Sequence, residues 1–109
     1  MKGEIRESSN SGISCYGHES SDGKTGILTT WGLLSPHESS RCDFKFSSAV
    51  NGYSIKTFGE TSISQLIIER NEISIKEVCK NKPVLCDADY VIHFTLAGHK
   101  SIEEAVLPN

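Results

Sequence analysis

Two pairs of residues in this sequence have the types and spacing of metal ligands. Cys15 and His18 are separated by two residues, His37 and Cys42 by four, and eighteen residues lie between the pairs. Two thiolates and two imidazoles suit a tetrahedral zinc ion. Such an ion would order the Ser- and Gly-rich stretches around it, contributing on the order of 10 kcal/mol to folding. Against this set, Cys42 shares its alternation with Phe44 and Phe46, where a buried thiol serves as a small hydrophobe. The tight Cys-x2-Cys knuckle is also missing. The preferred expectation is therefore no cofactor, with zinc on Cys15, His18, His37 and Cys42 as the alternative. Cys79 and Cys86, with six residues between them, could form a redox pair, but free thiols are preferred there too.

Acid–base chemistry is the next candidate. His18, His37, His93 and His99, with Lys24, Lys45 or Lys56, could supply the two proton-transfer groups of a phosphodiester-cleaving enzyme. That reaction needs a cationic groove for its substrate, and a net charge of −3 does not offer one. Scattered surface histidines are the preferred reading. The run from Gly17 to Gly23-Lys24-Thr25 approaches a phosphate-binding loop but has five residues between the glycines where the motif needs four. Strand-like residues follow it, and a polar hairpin loop is expected. No nucleophile elbow or His-Glu-x-x-His is present. No catalytic residue is assigned, and the sequence favours a protein that is not an enzyme.

The elements that would carry these residues are short and extended. Cys42, Phe44 and Phe46 alternate with charged and polar residues, the period-two signature of a strand with one buried face. The clearest strand is 89–97, with Tyr90, Ile92, Phe94 and Leu96 on one face. Segment 27–34 puts Ile27, Thr29, Trp31 and Leu33 on one parity, and 53–58 is extended. Asn51-Gly52 has the chemistry of a tight hairpin turn. Segment 62–70 is expected as a strand because isoleucines crowd it, with a helix as the alternative because Ser62 and Gln65 match a capping box. A second capping box at Ser101, followed by Ile102, Ala105 and Val106, predicts a short C-terminal helix. The fold expected is a single mainly β domain over residues 1–109: an antiparallel meander of about seven strands closed as a sandwich or open barrel. The alternative is an α+β domain with a helix at 62–70.

Composition restricts the function classes. The chain of 109 residues is 37% hydrophobic and 23% charged, which suits one folded domain. Acidic residues outnumber basic ones, 14 to 11, and no basic stripe exists, so duplex nucleic acid is not the expected partner. Residues 1–12 are polar and no apolar run approaches a membrane span, so no membrane partner is expected either. Together these place the protein in the cytoplasm, with its cysteines reduced or metal-bound.

The function expected is recognition: a small protein-binding module for a basic partner, of the inhibitor or immunity type that blocks a nuclease toxin. Trp31, Glu60, Glu69, Glu72, Asp87 and Asp89 are its expected contacts, the acids for charge and Trp31 as an anchor. Two alternatives stand beside it. One is a small-molecule-binding β-barrel or small enzyme, since 27–34 and 53–58 carry apolar residues on both parities. The other is the zinc-stabilised module. An edge-to-edge homodimer is as compatible as a monomer.

Overall fold

A computed structural model describes residues 4–9, 13–80 and 84–98. The described residues form eight strands: β1 (Glu4–Ser9), β2 (Ile13–Glu19), β3 (Thr25–Leu34), β4 (Ser39–Lys45), β5 (Val50–Thr57), β6 (Ser62–Glu69), β7 (Glu72–Val78) and β8 (Cys86–Leu96). They form two four-stranded antiparallel sheets in the orders β1-β4-β7-β6 and β2-β3-β8-β5. The closure is thus a sandwich. β2–β3 and β6–β7 are hairpins within a sheet, and every other pair of consecutive strands is divided between the two sheets. Segment 62–70 is extended, so the helix alternative fails there. Ile63, Leu66 and Ile68 lean on the core from an edge strand, a role that suits the β-branched isoleucines. The expected C-terminal helix lies outside the described residues, as does His99. Among the described residues no helix is long and apolar enough to cross a membrane.

Alternation sets the buried face of each central strand. In β8, Cys86, Ala88, Tyr90, Ile92, Phe94 and Leu96 are buried. Cys42, Phe44 and Phe46 meet them from the first sheet. Phe46 packs edge-to-face on both Phe44 and Phe94, with ring centroids 4.8 and 5.0 Å apart, the arrangement aromatic quadrupoles favour. Two glycines in the second sheet make room for these rings: a Cβ at Gly17 would fall inside the Phe44 ring and one at Gly26 inside the Phe46 ring. In β3 the inward parity is Leu28, Thr30 and Leu34, which leaves Ile27, Thr29, Trp31 and Leu33 on the outer face. That outer face, together with β5 as an edge strand, accounts for the apolar residues on both parities without a barrel.

The cysteines correct the expectation of free thiols or metal ligands. Cys15 and Cys42 form a disulfide between β2 and β4 that ties the two sheets together, and Cys79 and Cys86 form another across the β7–β8 link. Cys15 and Cys42 both point inward from opposite sheets, so their sulfurs meet in the interior. Cys79 and Cys86 are buried with Ile13, Leu34 and Ala88 in a second, smaller core. In a chain-entropy account, closing a 27-residue loop stabilises by about 3–4 kcal/mol and a 7-residue loop by about 2 kcal/mol.

One turn differs from its sequence signal. Asn51-Gly52 is no hairpin turn but lies within β5, next to a bulge between Val50 and Gly52. The tight turn between β6 and β7 instead uses Arg70 at φ 60°, braced by Asn71, whose side chain donates to the Phe46 carbonyl at 2.7 Å. The segment resembling a phosphate loop is the β2–β3 hairpin, held by Ser20 and Asp22.

Candidate partner-binding face

The β-pleat turns alternate residues of β3, β8 and β5 outward, and the strand registers set them side by side. Trp31 pairs with Asp89, and Leu33 with Asp87. On the other side of β8, Thr57 pairs with the inward-facing Tyr90, so Phe58 falls opposite Asp89, whose carbonyl accepts its amide at 2.8 Å. The chain then folds down along β8: Glu60 donates its amide to the Asp87 carbonyl at 2.7 Å and accepts the Asp87 amide on Oε1 at 3.2 Å. Gly59 permits this approach, because a Cβ there would collide with the Asp87 carbonyl oxygen. The result is two rows across the outer face of the second sheet, Trp31–Asp89–Phe58 and Leu33–Asp87–Glu60.

These side chains face water. Trp31 is 51% exposed, Phe58 60% and Leu33 46%, and Val84 and Leu85 extend the exposed apolar surface just ahead of Cys86. Asp87, Asp89 and Glu60 are exposed carboxylates, and among the described residues no lysine or arginine makes an ion pair with any of them. An apolar surface interleaved with unpaired carboxylates, with Lys56 one row away opposite Val91, is an unusual way to meet solvent. No known protein family, characterised protein or solved structure matches this chain. The face must therefore be read from its own chemistry.

Four of the six expected contact residues meet here: Trp31, Glu60, Asp87 and Asp89. The other two do not. Glu69 and Glu72 are direct cross-strand partners at the β6–β7 hairpin of the first sheet, beside a depression also lined by Arg41, Asp43 and Ile67. Phe58, Leu33, Val84 and Leu85 were not singled out in the sequence. Phe58 and Leu33 carry the signal of a large apolar residue on an outward parity, but it is readable only once the buried parity of each strand is known.

The zinc set does not assemble. Cys15 and Cys42 are bonded to each other. His18 sits on the outward parity of β2, opposite in direction to Cys15, with its ring 6.5 Å from that of Tyr16. His37 occupies the β3–β4 turn at φ 66° and donates its amide to the Cys79 carbonyl. Among the described residues no three Cys, His, Asp or Glu groups converge as metal ligands do. The histidines are equally dispersed as acid–base candidates: His18 and His93 flank Ile27 on the outer face, two strand spacings or roughly 10 Å apart.

Three carboxylates are buried among the described residues: Asp43, paired with Arg41 at 3.0 Å, and Glu19 and Glu77 between the sheets. Glu19 accepts from the amide and hydroxyl of Ser47 at 3.0 and 2.6 Å. Glu77, 2% exposed, accepts from the Thr61 hydroxyl at 3.0 Å, and its pKa is held above the ordinary carboxylate value by burial, partly offset by the Thr61 hydrogen bond and the nearby Tyr90 hydroxyl. Tyr90 and its cross-strand partner Thr30 turn their hydroxyls toward this group without a hydrogen bond of good geometry. Burial and the neighbouring Glu77 carboxylate raise the Tyr90 pKa as well. Glu19, Glu77 and Tyr90 lie between the sheets, away from the exposed face, and act on stability.

Proposed function

We propose that the protein is a small protein-binding module that holds a basic partner on the outer face of its second sheet. The carrying observation is the pair of rows Trp31–Asp89–Phe58 and Leu33–Asp87–Glu60, in which exposed apolar side chains surround carboxylates that no cation of the described residues pairs. Interface anchors favour tryptophan, and unpaired carboxylates speed encounter with a cationic surface. Capping the cationic groove of a nuclease toxin is one form this binding could take. Two disulfides, one of them across the core, support an oxidising compartment as the place of action in preference to the cytoplasm.

The test is site-specific photo-crosslinking in the native source, with the photoreactive residue at position 33 on the proposed face or at position 67 on the outer face of the first sheet. The proposal requires a defined basic protein crosslinked from 33 and not from 67. Equal yields from both positions, or only acidic adducts from 33, would sink it.

A further inference from the structure

The binding face has an internal geometry that narrows what the partner presents. Trp31 on β3 and Phe58, one residue past the end of β5, stand either side of Asp89 on β8. Neighbouring strands are about 4.8 Å apart, so the two aromatic residues rise from the sheet roughly 10 Å apart with a carboxylate between them. A planar cation stacked between two rings needs about 3.5–4 Å on each side. That backbone spacing leaves room for one guanidinium between the two side chains, over the Asp89 carboxylate. Two residues along β8, roughly 7 Å away on the same face, Asp87 repeats the carboxylate, with Glu60 beside it and Leu33 as an aliphatic wall.

Resting on the protein-binding reading above, we propose that this face is a receptor for two arginine side chains at alternate positions, Arg-x-Arg, on an extended segment of the basic partner. An extended chain projects residues i and i+2 to the same side at the same spacing of roughly 7 Å that separates Asp87 from Asp89. One guanidinium enters between Trp31 and Phe58 and forks onto Asp89. The other reaches Asp87 and Glu60 while its methylenes lie on Leu33. Arginine fits where lysine does not, because its flat, weakly hydrated head both stacks on aromatic rings and hydrogen-bonds a carboxylate in pairs. Phosphate-bearing ligands are repelled by all three carboxylates. A divalent cation is disfavoured because the acids do not converge.

Trp31 is the only tryptophan of the chain, so its fluorescence reports directly on this site. The probe is the acetylated and amidated peptide Gly-Ser-Arg-Thr-Arg-Ser-Gly, titrated into the intact protein with its disulfides formed. Three control peptides accompany it: lysine for both arginines, citrulline for both arginines, and arginines three positions apart. The expected result is a saturable change in Trp31 emission, with the Arg-x-Arg peptide binding about fivefold more tightly than the lysine and three-apart versions. The citrulline peptide should not bind. Asp89→Asn and Phe58→Ala should each weaken binding by about fivefold, whereas Glu69→Gln, on the other sheet, should not change it. Equal affinity for the lysine peptide, indifference to Asp89→Asn, or no saturable change up to about 5 mM peptide overturns the arginine receptor. If that happens while position 33 still crosslinks a basic protein, the binding module stands and only its arginine chemistry falls. If neither experiment gives a signal, both readings fall.

Discussion

Cys15 and Cys42 reach each other across the interior from strands of opposite sheets, with their Cα atoms 6.6 Å apart. The bond joins the edge region of one sheet to the middle of the other and closes a 27-residue loop. Replacing both cysteines with serine should lower unfolding stability by about 3–4 kcal/mol, visible as a lower urea midpoint, and a strong reductant, which also opens Cys79–Cys86, should lower it further. An unchanged midpoint under strong reductant would remove this bond from the account of stability.

Gly17 and Gly26 are occupied space without side chains. Gly17→Ala should cost about 2 kcal/mol, because Phe44 is fully buried and cannot swing away from the new methyl. Gly26→Ala should behave alike through Phe46. Gly52 has open space around its Cβ position, so Gly52→Ala should change stability by less than about 0.5 kcal/mol. Urea titration of the three variants separates these outcomes, and equal effects at 17 and 52 would contradict the packing described.

The buried Glu77 makes stability depend on pH. Its pKa in the fold lies above the ordinary carboxylate value of 4.5, so in the window between the two the folded protein binds more protons than the unfolded chain. Stability should fall as pH rises through that window and level off above it. Glu77→Gln removes the charge and keeps an acceptor for Thr61, so it should flatten this limb and leave the protein at least as stable at neutral pH, by up to about 1 kcal/mol. Thermal unfolding midpoints between pH 4 and 8 for both proteins check the sign, and a variant with the parent's slope would show that Glu77 is not its source.

Trp31 and Leu33 are half exposed, so they should matter to binding far more than to folding. Trp31→Ala and Leu33→Ser should each shift stability by less than about 0.5 kcal/mol, and Trp31→Ala should remove most of the crosslinking from position 33. A large loss of stability would instead make these residues part of the packing.

Charge reversal distinguishes the two acidic clusters. Asp89→Lys should slow association with a basic partner about tenfold at low salt and less at high salt. Glu69→Lys should leave the rate close to that of the parent, because the β6–β7 hairpin belongs to the other sheet. Stopped-flow association rates with the crosslinked partner decide between them.

The strands themselves were legible in the sequence. The alternation of Tyr90, Ile92, Phe94 and Leu96, and of Cys42, Phe44 and Phe46, depends only on the pleat sending successive side chains to opposite faces, which is a local property. Asn51-Gly52 misled for the complementary reason: a pair that permits a turn does not require one, and here the packing of β5 along β8 decides. Only the tertiary structure chose which strands lie together. Five of the seven pairs of consecutive described strands are divided between the sheets, so neighbours in space are distant in sequence, and their registers follow from how both inner faces fit around Phe44, Phe46 and Phe94. That fit brings Cys15 to Cys42. It also brings Trp31, Phe58 and Asp89 into one row, although each residue alone gives no sign of the other two.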